Sequence, residues 1–363
     1  MSAVVRLNAR RAPRLALLGT GVVGGALVAR YQRLQARGIA LPAFAWIANS
    51  RDVVEGDGAL DAGLQQLRTA PANTRIVPPW AEADALDAGD IVIDATASDA
   101  IALRHAEWLG RGVHVVTANK LGAGADLLRA QAIEQAARDG GAVYGDSATV
   151  GAGLPLLRSL RALVAGGDRI TSVEGVLSGS LAWLFNHYDG GQAFSACVRQ
   201  ARAAGYTEPD PRVDLSGEDV RRKLLILARA VGFALQASDV RVESLVPQVL
   251  ANAGDAQVDD LLSVLDAPLA ERLQAARRDG AQLRMVGRFD ANGASVGLRA
   301  LPASHALSGG AGTDNRVAIH CDRYPDQPLL IQGPGAGAEV TAAALLDDVV
   351  ALLETGRLQT QAA

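Results

Sequence analysis

The fold of this chain is indicated by one segment near its start, Arg14–Gly24, which reads RLALLGTGVVG. Leu15–Leu18 is a short apolar run of the kind that forms a buried strand. Apolar residues then recur at helical spacing, at Val23, Leu27, Tyr31 and Leu34. The glycines of a GxGxxG pattern therefore fall where a strand turns into a helix, and there backbone N–H groups can approach a pyrophosphate. We predict a dinucleotide-binding turn made of Gly19, Thr20, Gly21, Val22, Val23 and Gly24.

Strand-like and helical stretches alternate through the first part of the chain. Further strands are predicted at Phe44–Ala48, Ile91–Ala95, Val113–Thr117 and Ala142–Tyr144. Helices are predicted at Asp61–Leu67, Asp99–Leu109 and Ala123–Arg138. Strands that alternate with helices in this way pair into a parallel sheet covered on both faces. The sequence therefore predicts an α/β fold with a Rossmann-type, doubly wound parallel sheet.

The alternation breaks at Gly151–Pro155, which we take as the start of a second domain. This region mixes helices with strand-like runs, as in an α+β domain, at Ile170–Leu177, Gln282–Phe289, Val317–Cys321 and Leu329–Gln332. A glycine-rich turn, Gly333–Gly337, then leads into an apolar helix at Val340–Leu353. We expect a dinucleotide-binding domain at residues 1–147, completed by a C-terminal helix at residues 337–363, and a second domain at residues 148–336.

Composition narrows the class of protein. The chain has 363 residues, of which 49% are hydrophobic, so two domains with real cores can form. Its formal charge of −4 gives no reason to expect a nucleic-acid partner. Cys197 and Cys321 are far apart and fit no zinc motif, which favours a reducing compartment. Because no stretch is long and apolar enough to cross a membrane, we expect a soluble, cytoplasmic protein.

A second informative segment, Gly205–Arg229, places acidic and basic residues in a turn followed by a helix. The prolines of its EPDP motif are expected to keep the entry extended, because a residue before proline is excluded from the α region. Ser216, three residues before Asp219, resembles a capping box and predicts a helix start. Asp219 and Lys223 then lie one turn apart on the same helix face. They form either an exposed ion pair of little consequence or a catalytic pair close to the dinucleotide site.

The segment after the second strand, Asn49-Ser50-Arg51-Asp52, should meet the adenosine ribose in this fold. An arginine there can accept the 2′-phosphate of NADP, whereas an acidic residue favours NAD. Arg51 therefore favours NADP(H) over NAD(H), and the neighbouring Asp52 leaves NAD open.

Small polar residues follow two more strands. Ala95, Thr96 and Ser98 suit close approach to a nicotinamide ribose, although a simple helix N-cap at Ser98 or Asp99 accounts for them equally well. Thr117 and Lys120 lie at the end of the next strand, at the edge where ligands bind in open α/β sheets. A lysine at such a position is more often solvated than catalytic.

Together these motifs make the chain resemble the homoserine dehydrogenase family. The matching segments run in order along nearly the whole chain. They are GTGVVGGAL at 19–27, IANSR at 47–51, TANK at 117–120, ATVGAGLPLL at 148–157, GVLSGSLAWLFN at 175–186, GYTEPDPRVDLSGEDVRRKLLILAR at 205–229 and GPGAGAEVTAAALLDDV at 333–349. The chain is most similar to the dehydrogenase half of bifunctional aspartokinase–homoserine dehydrogenases, and we expect it to stand alone, with any kinase a separate chain.

The resemblance implies reversible reduction of L-aspartate 4-semialdehyde to L-homoserine with NAD(P)H, in threonine, methionine and isoleucine biosynthesis. It implies that Lys223 donates a proton to the developing alkoxide, with Lys120 near the same oxygen or near the nicotinamide. Asp219 is expected to bind the substrate and orient the reacting oxygen or a water. The other implied contacts are Glu208, Asp214 and Tyr206 to the substrate and Gly337 to the cofactor. The second domain would bind substrate, carry catalysis and form a homodimer.

The family also suggests a monovalent cation such as Na⁺, held by the main-chain carbonyls of Val150, Ala152 and Leu154. The acidic side chain that assists in some members falls on Ser147 here, which departs from the family pattern. Two other interpretations stay open: a dehydrogenase of another amino-acid-like substrate, or a non-catalytic protein that senses dinucleotides. A sensor would be expected to have a damaged substrate site, whereas both lysines are present.

Overall fold

The computed structural model describes residues 11–56, 59–74, 77–83 and 85–362. The first part of the chain contains the strands β1 (Leu15–Leu18), β2 (Phe44–Ala48), β3 (Val53–Glu55), β4 (Ile91–Asp94), β5 (His114–Thr117) and β6 (Tyr144–Gly145). The helices between them are α1 (Val22–Ala36), α2 (Leu60–Thr69), α3 (Pro79–Ala83), α4 (Asp99–Ala102), α5 (His105–Gly110) and α6 (Leu127–Asp139).

These strands form one sheet in the order β3-β2-β1-β4-β5-β6. Neighbouring strands run parallel except β3, which pairs antiparallel with β2 at the edge. β1 and β4 are buried along their whole length, as expected of strands covered on both faces. The strand order reverses between β1 and β4, so the carboxyl ends of these strands flank the crevice where ligands bind in such sheets. The predicted α/β fold with a doubly wound, mostly parallel sheet is confirmed.

The second part of the chain is longer and mixed. Its strands are β7 (Ile170–Val176), β8 (Val240–Val242), β9 (Ala281–Asp290), β10 (Gly293–Pro302), β11 (Asp314–Cys321) and β12 (Tyr324–Pro334). Its helices are α7 (Leu156–Ala165), α8 (Gly179–His187), α9 (Phe194–Ala203), α10 (Pro211–Leu215), α11 (Glu218–Ala230), α12 (Gln248–Ala251), α13 (Val258–Leu261), α14 (Asp266–Arg278) and α15 (Ala338–Ala362).

The second sheet has the order β12-β11-β7-β9-β10-β8. Its pairs are antiparallel except β8 with β10, which is parallel. Helices α8, α11 and α14 contact β9 at the middle of this sheet. Their buried residues Leu181, Leu224 and Leu269 share one apolar core with Phe289 of β9. This arrangement of helices against a mixed sheet confirms the α+β second part.

The C-terminal helix α15 returns from the second sheet to the first. Its residues Leu345, Leu346 and Val349 are buried in the same cluster as Leu27 and Val28 of α1. The predicted outer limits of the first domain, residues 1 and 363, lie outside the described residues. Among the helices in the described ranges, none is long and apolar enough to cross a membrane.

Several predicted boundaries are wrong. The helix predicted over Asp99–Leu109 is two helices, α4 and α5, because the chain breaks at Leu103 and Arg104. The break turns His105 inward to the buried Asp94 and leaves Leu103 58% exposed. Helix α6 starts later than predicted, since the Asp126 side chain caps it by accepting from two backbone N–H groups.

The capping box predicted at Ser216 and Asp219 is also wrong. Helix α11 has Gly217 as its N-cap, in a left-handed conformation with φ of 78°, and the Asp219 carboxylate bonds to lysines instead. In the EPDP entry, Asp210 has an extended backbone, and its side chain caps the short helix α10 by accepting from the Arg212 N–H.

The sequence pattern does not predict β3, β8 or β10. β3 and β8 have 3 residues each, too few to show an alternating pattern. β10, GASVGLRALP, carries two glycines and an arginine, which weaken the strand signal.

Candidate functional site

The glycine turn between β1 and α1 is built for close backbone approach. Gly19 has a left-handed φ of 94°, and a Cβ placed on Gly24 would lie 1.8 Å from the Gly19 carbonyl oxygen. Gly21 is the N-cap of α1, and among the described residues no side chain caps the helix and no atom lies within 4 Å of a Cβ built on Gly21. The first turn of α1 thus begins without a side-chain cap, at Val22, which is 82% exposed and is followed by Val23. This geometry fits a pyrophosphate at a helix N-terminus.

Asn49, Ser50 and Arg51 follow β2 beside this turn. The Asn49 amide donates to the Thr20 hydroxyl oxygen at 3.2 Å, and its oxygen accepts from the Arg51 backbone N–H at 2.7 Å. The Arg51 guanidinium is exposed and donates to the Arg68 carbonyl at 2.9 Å. Asn49 thus connects Thr20 of the glycine turn to the segment after β2, where an adenosine ribose would lie.

A buried carboxylate, Asp94, organises the carboxyl ends of β4 and β5. Its Oδ1 accepts from the backbone N–H and the hydroxyl of Thr96, at 2.8 and 2.6 Å. Its Oδ2 accepts from the Asn119 amide at 2.9 Å and lies 3.0 Å from Nε2 of His105. The other ring nitrogen of His105 lies 3.1 Å from the Tyr144 hydroxyl. Both carboxylate oxygens of the buried Asp94 therefore have hydrogen-bond partners within the protein.

The same network reaches the other predicted residues of this edge. The Asn119 amide donates to the Ser98 carbonyl at 2.9 Å, and its backbone N–H donates to the Thr117 hydroxyl oxygen at 2.8 Å. The Ala95 carbonyl lies 2.9 Å from a Cβ built on Gly19, so β4 and the glycine turn touch. Ser98 is the N-cap of α4, but its hydroxyl makes no capping hydrogen bond to the described residues. The N-cap explanation therefore does not account for this side chain.

The two predicted lysines meet at one carboxylate. Lys223 of α11 is 7% exposed; its Nζ lies 2.7 Å from Asp219 Oδ2 and donates to the Leu177 carbonyl at 2.7 Å. Lys120, in the turn after β5, places its Nζ 3.4 Å from Asp219 Oδ1. Because Lys223 is buried, the interpretation of this pair as an ordinary exposed ion pair does not hold.

The charge of Asp219 follows from these contacts. Burial raises the pKa of a carboxyl, but the ammonium groups of Lys223 and Lys120 outweigh it and hold the pKa of Asp219 well below its ordinary value. Asp219 is therefore ionised at neutral pH and can only accept hydrogen bonds. The stability from this shift is present above a pH of about 4 and is lost as the pH falls through the lower folded-state pKa.

Glu208, Asp214 and Tyr206 lie in the segment before α11. Asp214 accepts from the hydroxyl of Ser180 at 2.6 Å and from the backbone N–H of Glu208 at 2.9 Å. Ser180 lies in the first turn of α8, just after the carbonyl that binds Lys223. Glu208 is exposed, and its carboxylate has no ion pair with the described residues. Tyr206, 44% exposed, stacks on Trp183 with ring centroids 5.1 Å apart.

The turn predicted to bind a cation has an unusual backbone. Gly151 and Ala152 have left-handed φ values of 74° and 49°, and no other non-glycine residue in the described ranges has a positive φ. The Leu154 carbonyl already accepts from the Leu156 N–H at 2.8 Å. Among the described residues, no group of three His, Cys, Asp or Glu side chains is placed to hold a metal ion.

Ser147, shortly before the turn predicted to bind a cation, is hydrogen-bonded to an acid from α15. Its hydroxyl donates to Asp348 Oδ1 at 2.8 Å, and Arg158 donates to the same oxygen at 2.9 Å. Burial raises the pKa of Asp348, although these hydrogen bonds oppose the shift. The carboxylate beside Ser147 thus already has a cationic partner within the protein.

Comparison with known proteins assigns the family. Residues 155–350 match the model described as homoserine dehydrogenase, and residues 19–144 match the model of the homoserine dehydrogenase NAD-binding domain. The chain belongs to the homoserine dehydrogenase family.

Relatives within the family include single-activity and bifunctional proteins. Homoserine dehydrogenase of Emericella nidulans is 39% identical over 73% of this chain and 75% of its own length. Bifunctional aspartokinase/homoserine dehydrogenase 2 of Escherichia coli is 44% identical over 71% of this chain, but the match spans only 32% of that protein. A Candida auris protein of unknown function has a crystal structure that superposes with a TM-score of 0.83 at 34% identity, covering 94% of this chain and 98% of that one.

The sequence motifs of homoserine dehydrogenases identify the lysines and acids of the site. They do not identify the residues that form hydrogen bonds to these side chains or order the strand ends beside them. Sequence reasoning missed Asp94, His105 and Asn119, together with the Leu177 carbonyl. An acid that ends an apolar strand is a signal for Asp94, because a fully buried Asp is rare unless it is paired. His105 and Asn119 carry no such signal, since their partner lies 11 and 25 residues away in sequence.

We expect Asp94→Asn to lower the free energy of unfolding by about 1–3 kcal/mol. An amide replaces one acceptor oxygen with a donor, and that donor would face groups that themselves donate to Asp94. Denaturant unfolding followed by circular dichroism measures the change. Asp99→Asn, at a side chain 57% exposed that pairs with Arg129, is the control and should cost less than about 1 kcal/mol. Equal costs for the two variants would contradict the organising role of Asp94.

Proposed function

We propose that this chain catalyses the reversible, NAD(P)H-dependent reduction of L-aspartate 4-semialdehyde to L-homoserine, as in threonine, methionine and isoleucine biosynthesis. The observation that carries the proposal is the buried Lys223, held by Asp219 opposite Lys120 in a chain of the homoserine dehydrogenase family. The NAD-binding match and the open glycine turn support the cofactor. The intact acids of the second part, together with Lys223 and Lys120, support catalysis rather than sensing.

Lys223 is proposed as the proton donor. A bound nicotinamide cofactor supplies the hydride that reduces the aldehyde carbon. An ammonium has three donors; the Leu177 carbonyl and Asp219 engage two of those on Lys223, which leaves one for the substrate oxygen. Donation to that oxygen both stabilises the developing alkoxide and transfers the proton.

Asp219 and Lys120 are proposed to position this donor. The ionised Asp219 cannot donate a proton, so it fixes the direction of Lys223 and orients the reacting oxygen or a water. Lys120 reaches the same carboxylate from the end of β5, where the nicotinamide half of the cofactor would lie. A second ammonium near the reacting oxygen would add electrostatic stabilisation.

The acids before α11 are proposed to bind the amino-acid end of the substrate. Glu208 offers an exposed carboxylate for the substrate ammonium. Asp214 adds negative charge and holds the Glu208 backbone through its second oxygen. Tyr206 is proposed to contact the substrate from its stack on Trp183.

Three finer points belong to the same proposal. NADP(H) is preferred over NAD(H), which the exposed Arg51 supports.

The chain forms a homodimer through its second domain. The edge strand β12, with its 37% exposed Leu330, supports this, and a monomer in sedimentation would contradict it. A monovalent cation binds the carbonyls of Val150, Ala152 and Leu154. The left-handed turn there supports this site. If the melting temperature of the protein is unchanged when choline replaces Na⁺, the cation site is contradicted.

We expect Lys223→Ala to lower kcat for homoserine oxidation by about 10²–10⁴-fold, because the proton-transfer group is lost. Steady-state rates with NADP⁺ measure the change, and NADPH binding should persist. Arg221→Ala, two residues before Lys223 on α11, is the matched control; Arg221 pairs with Glu218, and its loss should change kcat by less than about twofold. A loss of less than about tenfold in folded Lys223→Ala would remove the lysine from this role.

We expect Arg51→Ala to weaken NADPH binding by about tenfold or more and to leave NADH binding within about twofold. A charge-assisted bond to the 2′-phosphate is worth about 1.5–3 kcal/mol, and NADH lacks that phosphate. Dissociation constants from nicotinamide fluorescence measure both. Arg33→Ala, an exposed arginine of α1, is the control. If Arg51→Ala weakens the binding of NADPH and NADH equally, Arg51 does not bind the 2′-phosphate.

A further inference from the structure

One buried amide in the second sheet has no hydrogen-bond partner. Asn315 of β11 is 0% exposed, and both its Oδ1 and its Nδ2 lack a partner among the described residues. Other residues in the described ranges leave at most one such atom each. Buried polar side chains in native proteins are almost always bonded, so an amide with both ends unpaired calls for a partner.

Asn315 lies at the same end of the second sheet as the carbonyl that holds the candidate catalytic lysine. In the antiparallel register of β11 and β7, Arg316 pairs with Val176 at the end of the ladder; Asn315 is the residue before Arg316, and Leu177 is the residue after Val176. The Leu177 carbonyl is the group that accepts from Lys223 at 2.7 Å. On its other side Asn315 pairs with Gly333 of β12.

A glycine of the closing loop lies directly over this amide. A Cβ built on Gly335 would lie 1.9 Å from Asn315 Oδ1 and 2.7 Å from Nδ2, so only glycine permits the approach. Gly335 is buried, whereas Ala336 and Gly337 after it are exposed. This loop joins β12 to α15, which packs on the dinucleotide-binding sheet. The unpaired amide therefore lies where the two parts of the chain meet.

We propose that Asn315 binds the carboxamide of the nicotinamide ring. A carboxamide offers one carbonyl acceptor and one NH₂ donor, and an asparagine amide offers the complementary pair, so each end of Asn315 gains a partner. The hydride-donating ring would then lie next to the strand end that holds Lys223, as reduction requires. The proposal requires Gly335, which covers the amide, to move when the cofactor binds; Gly333 and Gly337, with φ of 154° and 125°, give the loop backbone freedom on either side. The inference rests on the proposed dinucleotide cofactor but not on the identity of the substrate.

The test compares two dinucleotides that differ only at this group. The dissociation constants of NADP⁺ and of its 3-acetylpyridine analogue, in which a methyl group replaces the amide NH₂, are measured by displacement of fluorescent NADPH. The full chain should prefer NADP⁺ by about tenfold, since one hydrogen bond to a buried group is lost with the analogue. Asn315→Ala should bind both within about twofold of each other. Asn315→Leu, close to the same volume, provides a second variant should alanine leave the chain unfolded.

Asn252→Ala, at an exposed asparagine, is the matched control and should keep the preference of the unsubstituted chain. A preference for NADP⁺ that survives in folded Asn315→Ala or Asn315→Leu would overturn the proposal. Equal weakening of both dinucleotides would also overturn it, since Asn315 would then only support the loop. A chain that binds no NADPH contradicts the proposed cofactor itself. The full chain could bind NADPH without oxidising homoserine while the Asn315 variants lose the preference for NADP⁺. That result would support the role of Asn315 and contradict the proposed reaction.

Discussion

The carboxylate of Asp219 is the charge on which the site depends, because it lies between two ammonium groups from different parts of the chain. Lys223 is one helical turn away on α11, and Lys120 comes from the carboxyl end of β5. Without the intervening negative charge, the two lysines would repel each other across the crevice. Nearby contacts fix the same junction: Arg229 donates to the Ala123 carbonyl at 2.5 Å, and the backbone at Gly124 packs against α11.

This constraint explains why distant segments must meet. The crevice edge of the first sheet is rigid because Asp94 bonds the ends of β4 and β5 together, which also fixes the residue before Lys120. The second sheet contributes the carbonyl that holds Lys223. α15 then returns to pack on α1 and brings a glycine loop over Asn315. A hydride donor, a proton donor and an amino-acid substrate can be aligned only if both sheets are fixed relative to each other.

Sequence reasoning found what is local. The strand–glycine–helix pattern at Arg14–Gly24 predicted the first sheet, since spacing and glycine positions are properties of adjacent residues. It failed where the outcome depends on a tertiary partner. Ser216 and Asp219 look like a capping box, but two lysines compete for the carboxylate and Gly217 caps the helix. The helix predicted over Asp99–Leu109 breaks at Leu103 and Arg104, where the chain brings the His105 ring to Asp94. The unpaired amide of Asn315 has no sequence signal at all.

Oxidation of homoserine by this chain at the expense of NADP⁺ is the reaction that the proposed site most directly predicts. The measurement is the absorbance of reduced nicotinamide formed by the purified protein at alkaline pH, with and without homoserine. The account predicts formation that requires homoserine and runs faster with NADP⁺ than with NAD⁺. No homoserine-dependent formation with either cofactor, from folded protein that binds NADPH, would contradict it.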